Sequence, residues 1–104
     1  MLYYKRHAFV CTNQRKDGRK CCDGDGGGGE LREYAKKCIK ELGESGRGKV
    51  RINSSGCLDR CGKGPVMVVY PEGAWYSLKS KEDVEEIIRE HLISGNVVSR
   101  LLLD

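Results

Sequence analysis

A chain of 104 residues, 38% hydrophobic and 33% charged, has room for one core, so residues 1–104 read as a single domain. No apolar run approaches the roughly 20 residues that span a bilayer. The opening MLYYKRHAFVCTNQRKDGRK is broken too early by Lys5, Arg6 and His7 for a secretory signal. No membrane role is therefore expected, and a cytoplasmic location is. A net charge of +4, from 19 basic and 15 acidic residues, is too even to imply nucleic acid, although residues 1–20 are basic and 81–104 acidic.

Residues 7–12, HAFVCT, read as a short buried strand, and the polar, basic and then Gly-rich stretch 13–29 as a loop. A helix is predicted from Glu30. Leu31, Ala35, Cys38 and Leu42 share one face. Glu30 and Glu33 suit its first turn and Gly43 its C-terminal cap. Residues 49–53, KVRIN, alternate as a half-buried strand, and SSGCLDRCGKGP reads as a loop. VMVVY (66–70) is a buried strand, and WYSL (75–78) returns from a Pro-Glu-Gly turn as its hairpin partner. A second helix runs from about Glu82, with Ser80 or Lys81 near its N-cap and Gly95 at its end. Its buried face carries Val84, Ile87, Ile88, His91 and Leu92, and VVSRLLL follows as a short extended segment. The order is β-α-β, then β-β-α: an α/β fold with a small mixed four-stranded sheet and two main helices. The first two strands are parallel, joined by a helical crossover.

That order gathers the cysteines. Six are present, at 11, 21, 22, 38, 57 and 61. In a reducing compartment they indicate metal or redox chemistry rather than a disulfide framework. Cys11 ends the first strand, Cys21 and Cys22 lie in the loop leaving it, and Cys57 and Cys61 follow the parallel second strand. All five face one sheet edge. Cys38 sits in the first helix, away from that edge, and reads as a small core hydrophobe. Four thiolates suit an iron–sulfur cluster or zinc. Only the C-x3-C of 57 and 61 resembles a zinc knuckle, and no C-x-x-C of a thiol–disulfide enzyme is present. Both metal readings stay open on spacing alone.

Other motifs have plainer readings. His7 and His91 are not beside a candidate ligand and read as packing or surface residues. Gly43 to Lys49 nearly matches a phosphate loop, but Val50 replaces its hydroxyl residue and the segment leaves a helix for a strand. Asp23 and Asp25 lack the remaining ligands of a calcium loop. Tyr70, Trp75 and Tyr76 are expected in the core or a subunit contact. Arg15, Lys16, Arg19 and Lys20 lie in the loop of Cys22 and form a candidate docking patch.

The strings HAFVCTNQR, GRKCC, SGCLDRCGKGPVMVVYPEGAWY and DVEEIIREHLISGNVVSRLLL resemble the thioredoxin-like, or Shethna-type, 2Fe–2S ferredoxins over nearly the whole chain. The resemblance implies a thioredoxin-like fold and one 2Fe–2S cluster per chain. Its ligands fall on Cys11, one of the Cys21/Cys22 pair, Cys57 and Cys61. The family's G-x-C segment, whose last cysteine binds, favours Cys22. This chain departs from the pattern in its Gly-rich stretch from Asp23 to Gly29, which leaves Cys21 a claim. The expected function is a soluble one-electron carrier, not an enzyme. Its expected partners are redox proteins, a reductase or oxidoreductase, and a homodimer is implied. The alternatives are a zinc-stabilised four-cysteine binding module and an electron-relay subunit of a complex resembling NADH dehydrogenase or hydrogenase.

Overall fold

The computed structural model of the chain describes residues 3–11, 28–55 and 65–103. Its strands are β1 (Arg6–Cys11), β2 (Val50–Ser55), β3 (Val66–Tyr70) and β4 (Ala74–Ser77), and its helices begin with α1 (Gly28–Glu41) and α2 (Lys81–Ile87). The sheet order is β2-β1-β3-β4. β1 and β2 are parallel, and the other two pairings are antiparallel. This is the mixed four-stranded sheet the sequence predicts.

Period-two alternation sorts the strand side chains between two faces. Ala8 and Val10 of β1, Val50 and Ile52 of β2, Met67 and Val69 of β3, and Tyr76 of β4 share one core with the helical residues Leu31, Ala35, Ile39, Val84, Ile87, Ile88 and Leu92. Both helices therefore cover the same face. His7, Phe9 and Cys11 alternate to the other.

Three sequence expectations need correction. The α1 stripe is Leu31, Ala35 and Ile39 rather than a line through Cys38 and Leu42. Cys38 is half-buried at its flank, and Leu42 is 58% exposed. Leu42 would be in phase, but α1 has ended at Glu41 and Gly43, at φ 71°, turns the chain away. Strand β2 runs on through Ser54 and Ser55, because their pairing with Val10 and Cys11 continues the ladder. The tail forms a 3-10 turn at Ser99–Leu101 before Leu102 makes one bridge to Tyr76, so it is extended only at its end.

The α2 start matches its sequence signal. Ser80 Oγ accepts the Asp83 N–H at 3.4 Å, and Asp83 Oδ2 accepts the Lys79 N–H at 2.9 Å. Beyond Ile87 the helix continues as a π-helical stretch, Ile88–Ile93. Val84, Ile87, Ile88, His91 and Leu92 are all buried, as their spacing predicts.

A hydrogen-bond chain, buried at Tyr76 and His91 and exposed at its Arg6–Glu72 end, ties this helix to the sheet. Tyr76 Oη accepts the Val98 N–H at 3.0 Å and is hydrogen-bonded to His91 Nδ1 at 2.7 Å. The Glu72 carboxylate only accepts, so His91 Nε2–H is the donor to Glu72 Oε1 at 3.0 Å. Arg6 grips the same carboxylate through Nε and Nη2, at 3.3 and 3.0 Å. Desolvation pushes the Glu72 pKa up. The hydrogen bonds from Arg6 and His91, with the Arg6 charge and a backbone contact, outweigh it and hold the carboxyl below its ordinary value. Burial moves the Tyr76 hydroxyl the other way, upward.

Candidate metal centre

Cys11 is the last residue of β1 and is fully buried. It lies opposite Ser55, the last residue of β2. β3 begins beside it, since the antiparallel register puts Met67 against Val10. Cys11 and Val66 form a small apolar cluster of their own, and Leu103 packs against it. The carboxyl ends of two parallel strands and the start of a third thus share one edge, with a thiol at its centre.

Cys21, Cys22, Cys57 and Cys61 lie outside the described residues, as do Arg15, Lys16, Arg19, Lys20, Asp23 and Asp25. Their attachment is still fixed by the chain. Residues 12–27 leave from Cys11, and residues 56–64 join the end of β2 to the start of β3. Among the described residues no three His, Cys, Asp or Glu side chains converge to hold a metal ion.

Cys11 offers a soft sulfur donor at this edge, the ligand type of iron–sulfur clusters and of zinc.

The remaining candidates sit elsewhere. Cys38 is near the C-terminal end of α1, which leads through residues 42–49 to the start of β2. The opposite end of that six-residue strand meets Cys11, about 16 Å away at the usual rise. Cys38 packs at the margin of the helix-side core. His91 is committed to Tyr76 and Glu72. His7 stacks on Phe9 at 4.4 Å, and burial, then the Arg51 charge, lowers its pKa. Gly43, Gly46 and Gly48 all have positive φ in the connection from α1 to β2, so that segment is a turn in the wrong order for a phosphate loop. Tyr76 is buried in the core and Tyr70 is exposed against Phe9. Leu103 had no signal in the sequence beyond an apolar tail. Its packing against that small cluster depends on how the tail returns to the sheet beside β4.

No helix among the described residues is long and apolar enough to cross a membrane. No family model matches the chain. It is 38% identical over 102 residues to a protein named 2Fe–2S ferredoxin from Clostridium pasteurianum, covering 97% of this chain and 98% of that one. It is 36% identical over 108 residues to a 2Fe–2S ferredoxin of Aquifex aeolicus (strain VF5), covering 94% and 88%. Among solved structures, the wild-type thioredoxin-like [2Fe–2S] ferredoxin from Aquifex aeolicus aligns with a TM-score of 0.81 at 35% identity, over 95% of this chain and 96% of that one.

Proposed function

The chain belongs to the thioredoxin-like 2Fe–2S ferredoxins, and from that premise we propose that Cys11, Cys22, Cys57 and Cys61 hold its cluster. The protein is an electron carrier rather than an enzyme, with one 2Fe–2S cluster as its cofactor. The cluster, when bound, takes up and returns a single electron; the chain supplies thiolates, shelter and a docking surface.

One observation carries the ligand assignment: Cys11 is buried where β1 and β2 end and β3 begins. Cys57 follows Ser55 by two residues, a reach of about 7 Å, and Cys61 precedes Val66 on the same connection. Cys22 is supported by the family's segment ending on a binding cysteine. Cys11→Ser tests the described ligand directly. Oxygen is a poorer iron ligand than sulfur, so the variant should lose cluster or change its visible spectrum. An unchanged spectrum at full occupancy would remove Cys11 from the set.

The basic group Arg15, Lys16, Arg19 and Lys20 adjoins Cys22 in sequence, which supports an acidic docking face on the redox partner. Transfer to that partner should slow as salt rises. Reversing two of these charges should slow it at low salt without altering the spectrum. A rate indifferent to salt would count against the patch. Family resemblance supports a homodimer and a cytoplasmic location as the remaining parts of this reading.

A further inference from the structure

At the edge where Cys11 ends β1, four residues stand in one row across the strands, on the face the helices leave open. Cys11 lies against Ser55 of β2. The antiparallel register that pairs Val10 with Met67 brings Val66 of β3 next in line, opposite Cys11. Val66 is paired in turn with Ser77 of β4. The row therefore reads Ser55, Cys11, Val66, Ser77, and Val66 is its one aliphatic member. Cys11 and Val66 are fully buried and pack on each other, whereas both serines are partly exposed. Val66 is also held from its far side, since Leu78 N–H donates to the Pro65 carbonyl at 2.8 Å and fixes the start of β3 against the end of β4. Directly opposed residues have Cβ atoms about 4.5–5.5 Å apart, and diagonal ones about 7–8 Å. A branch at position 66 thus meets the Cys11 side chain, while Val68, opposite Phe9 on the same face, stands on the diagonal.

We propose that Val66 is a potential-setting residue of the electron-transfer site: its apolar branch denies the Cys11 sulfur a hydrogen-bond donor on the β3 side and so holds the reduction potential down. This rests on Cys11 being a ligand. Reduction brings one electron from the redox partner, and with it one negative charge, to a centre that four thiolates already make anionic. A hydrogen bond to a ligand sulfur stabilises that added charge and raises the potential, and valine has none to give. Threonine keeps the β-branched shape of valine and exchanges one methyl for a hydroxyl. At position 66 that single change separates the chemistry of the side chain from its packing.

The test has two readouts. One is the midpoint potential of the cluster-loaded protein. The other is the rate at which iodoacetamide alkylates Cys11 in the cluster-free protein, followed on the Cys11 peptide by mass spectrometry. Val66→Thr should raise the potential, so that at the parent's midpoint the ratio of reduced to oxidised protein rises several-fold. Val66→Ala removes the branch and admits water beside the sulfur, so it should raise the potential and speed alkylation several-fold. Val68→Thr makes the same exchange on the diagonal and should leave both readouts at the parent values. A parent-like potential in Val66→Thr, or an equal shift in Val68→Thr, overturns the proposal. Should Val66→Thr fail to fold, Val66→Ala decides, and a parent-like potential there overturns it as well. Cys11→Ser separates this inference from the ligand assignment. If it leaves the spectrum unchanged at full occupancy, the assignment fails. If it changes the spectrum while Val66→Thr leaves the potential in place, only the role of Val66 fails.

Discussion

Cys22→Ser should strip most of the cluster from the purified protein or shift what remains of its visible spectrum, while Cys21→Ser should leave both as they are. The two cysteines are neighbours in sequence. Adjacent side chains on extended backbone point apart, so one ligand rather than two is expected from the pair. Serine keeps the size of the side chain but offers a hard oxygen in place of a soft thiolate. The four glycines at 26–29, two of them already in α1, complicate the single variant. Cys21 is the neighbouring thiol and the expected substitute donor once Cys22 is lost. Cys21→Ser/Cys22→Ser should therefore hold less iron than Cys22→Ser alone. Cys38→Ser is the matched control, since its thiol sits in α1 at the other end of β2 and should be silent. A spectrum destroyed by Cys21→Ser and spared by Cys22→Ser would exchange their roles.

The second large effect belongs to stability. His91→Ala removes a fully buried ring and leaves the Tyr76 hydroxyl and the Glu72 carboxylate each short of a partner. Cavity and lost hydrogen bonds together should cost about 3–5 kcal/mol. In a domain of this size that is a melting temperature lower by roughly 15–30 °C. Tyr76→Phe keeps the ring and removes only the hydroxyl, stranding Val98 N–H and His91 Nδ1. It should cost about 1–3 kcal/mol. The two losses should not add, because both variants break the same chain. Glu72 adds a pH dependence. Its folded pKa is depressed, so its contribution is present above the ordinary carboxylate range and fades as pH falls through the folded value. His91→Ala should weaken that dependence. Below its melting temperature the variant should keep its visible spectrum, since the ring is not a ligand. A loss of only a few degrees would show that the chain contributes little.

The elements were legible where a local pattern decides them. VMVVY gave β3 by its apolar run, Ser80 or Lys81 marked the start of α2, and five residues of its face were named by spacing. The α1 face was misplaced because Cys38 and Ile39 are adjacent and both nearly in phase with Leu31 and Ala35; which one points inward is set by the sheet beneath. Ser54 and Ser55 carry no strand signal of their own and are drawn into β2 by β1. His91 reads as one more buried residue of a helix. Its partner Glu72 is 19 positions away, and Arg6, which grips the same carboxylate, is 85 away; only the fold joins them. Leu103 is the same case: an apolar residue in an apolar tail whose packing comes from the return of the chain beside β4. Of the proposed ligands, only Cys11 has a described position, and it stands where the predicted strand order put it.

Iron and acid-labile sulfide per chain, measured with the visible spectrum of anaerobically purified protein, test the central claim most directly. The expected result is two irons and two sulfides per chain, in a reddish protein that bleaches on reduction with dithionite. A colourless protein carrying stoichiometric zinc would contradict it.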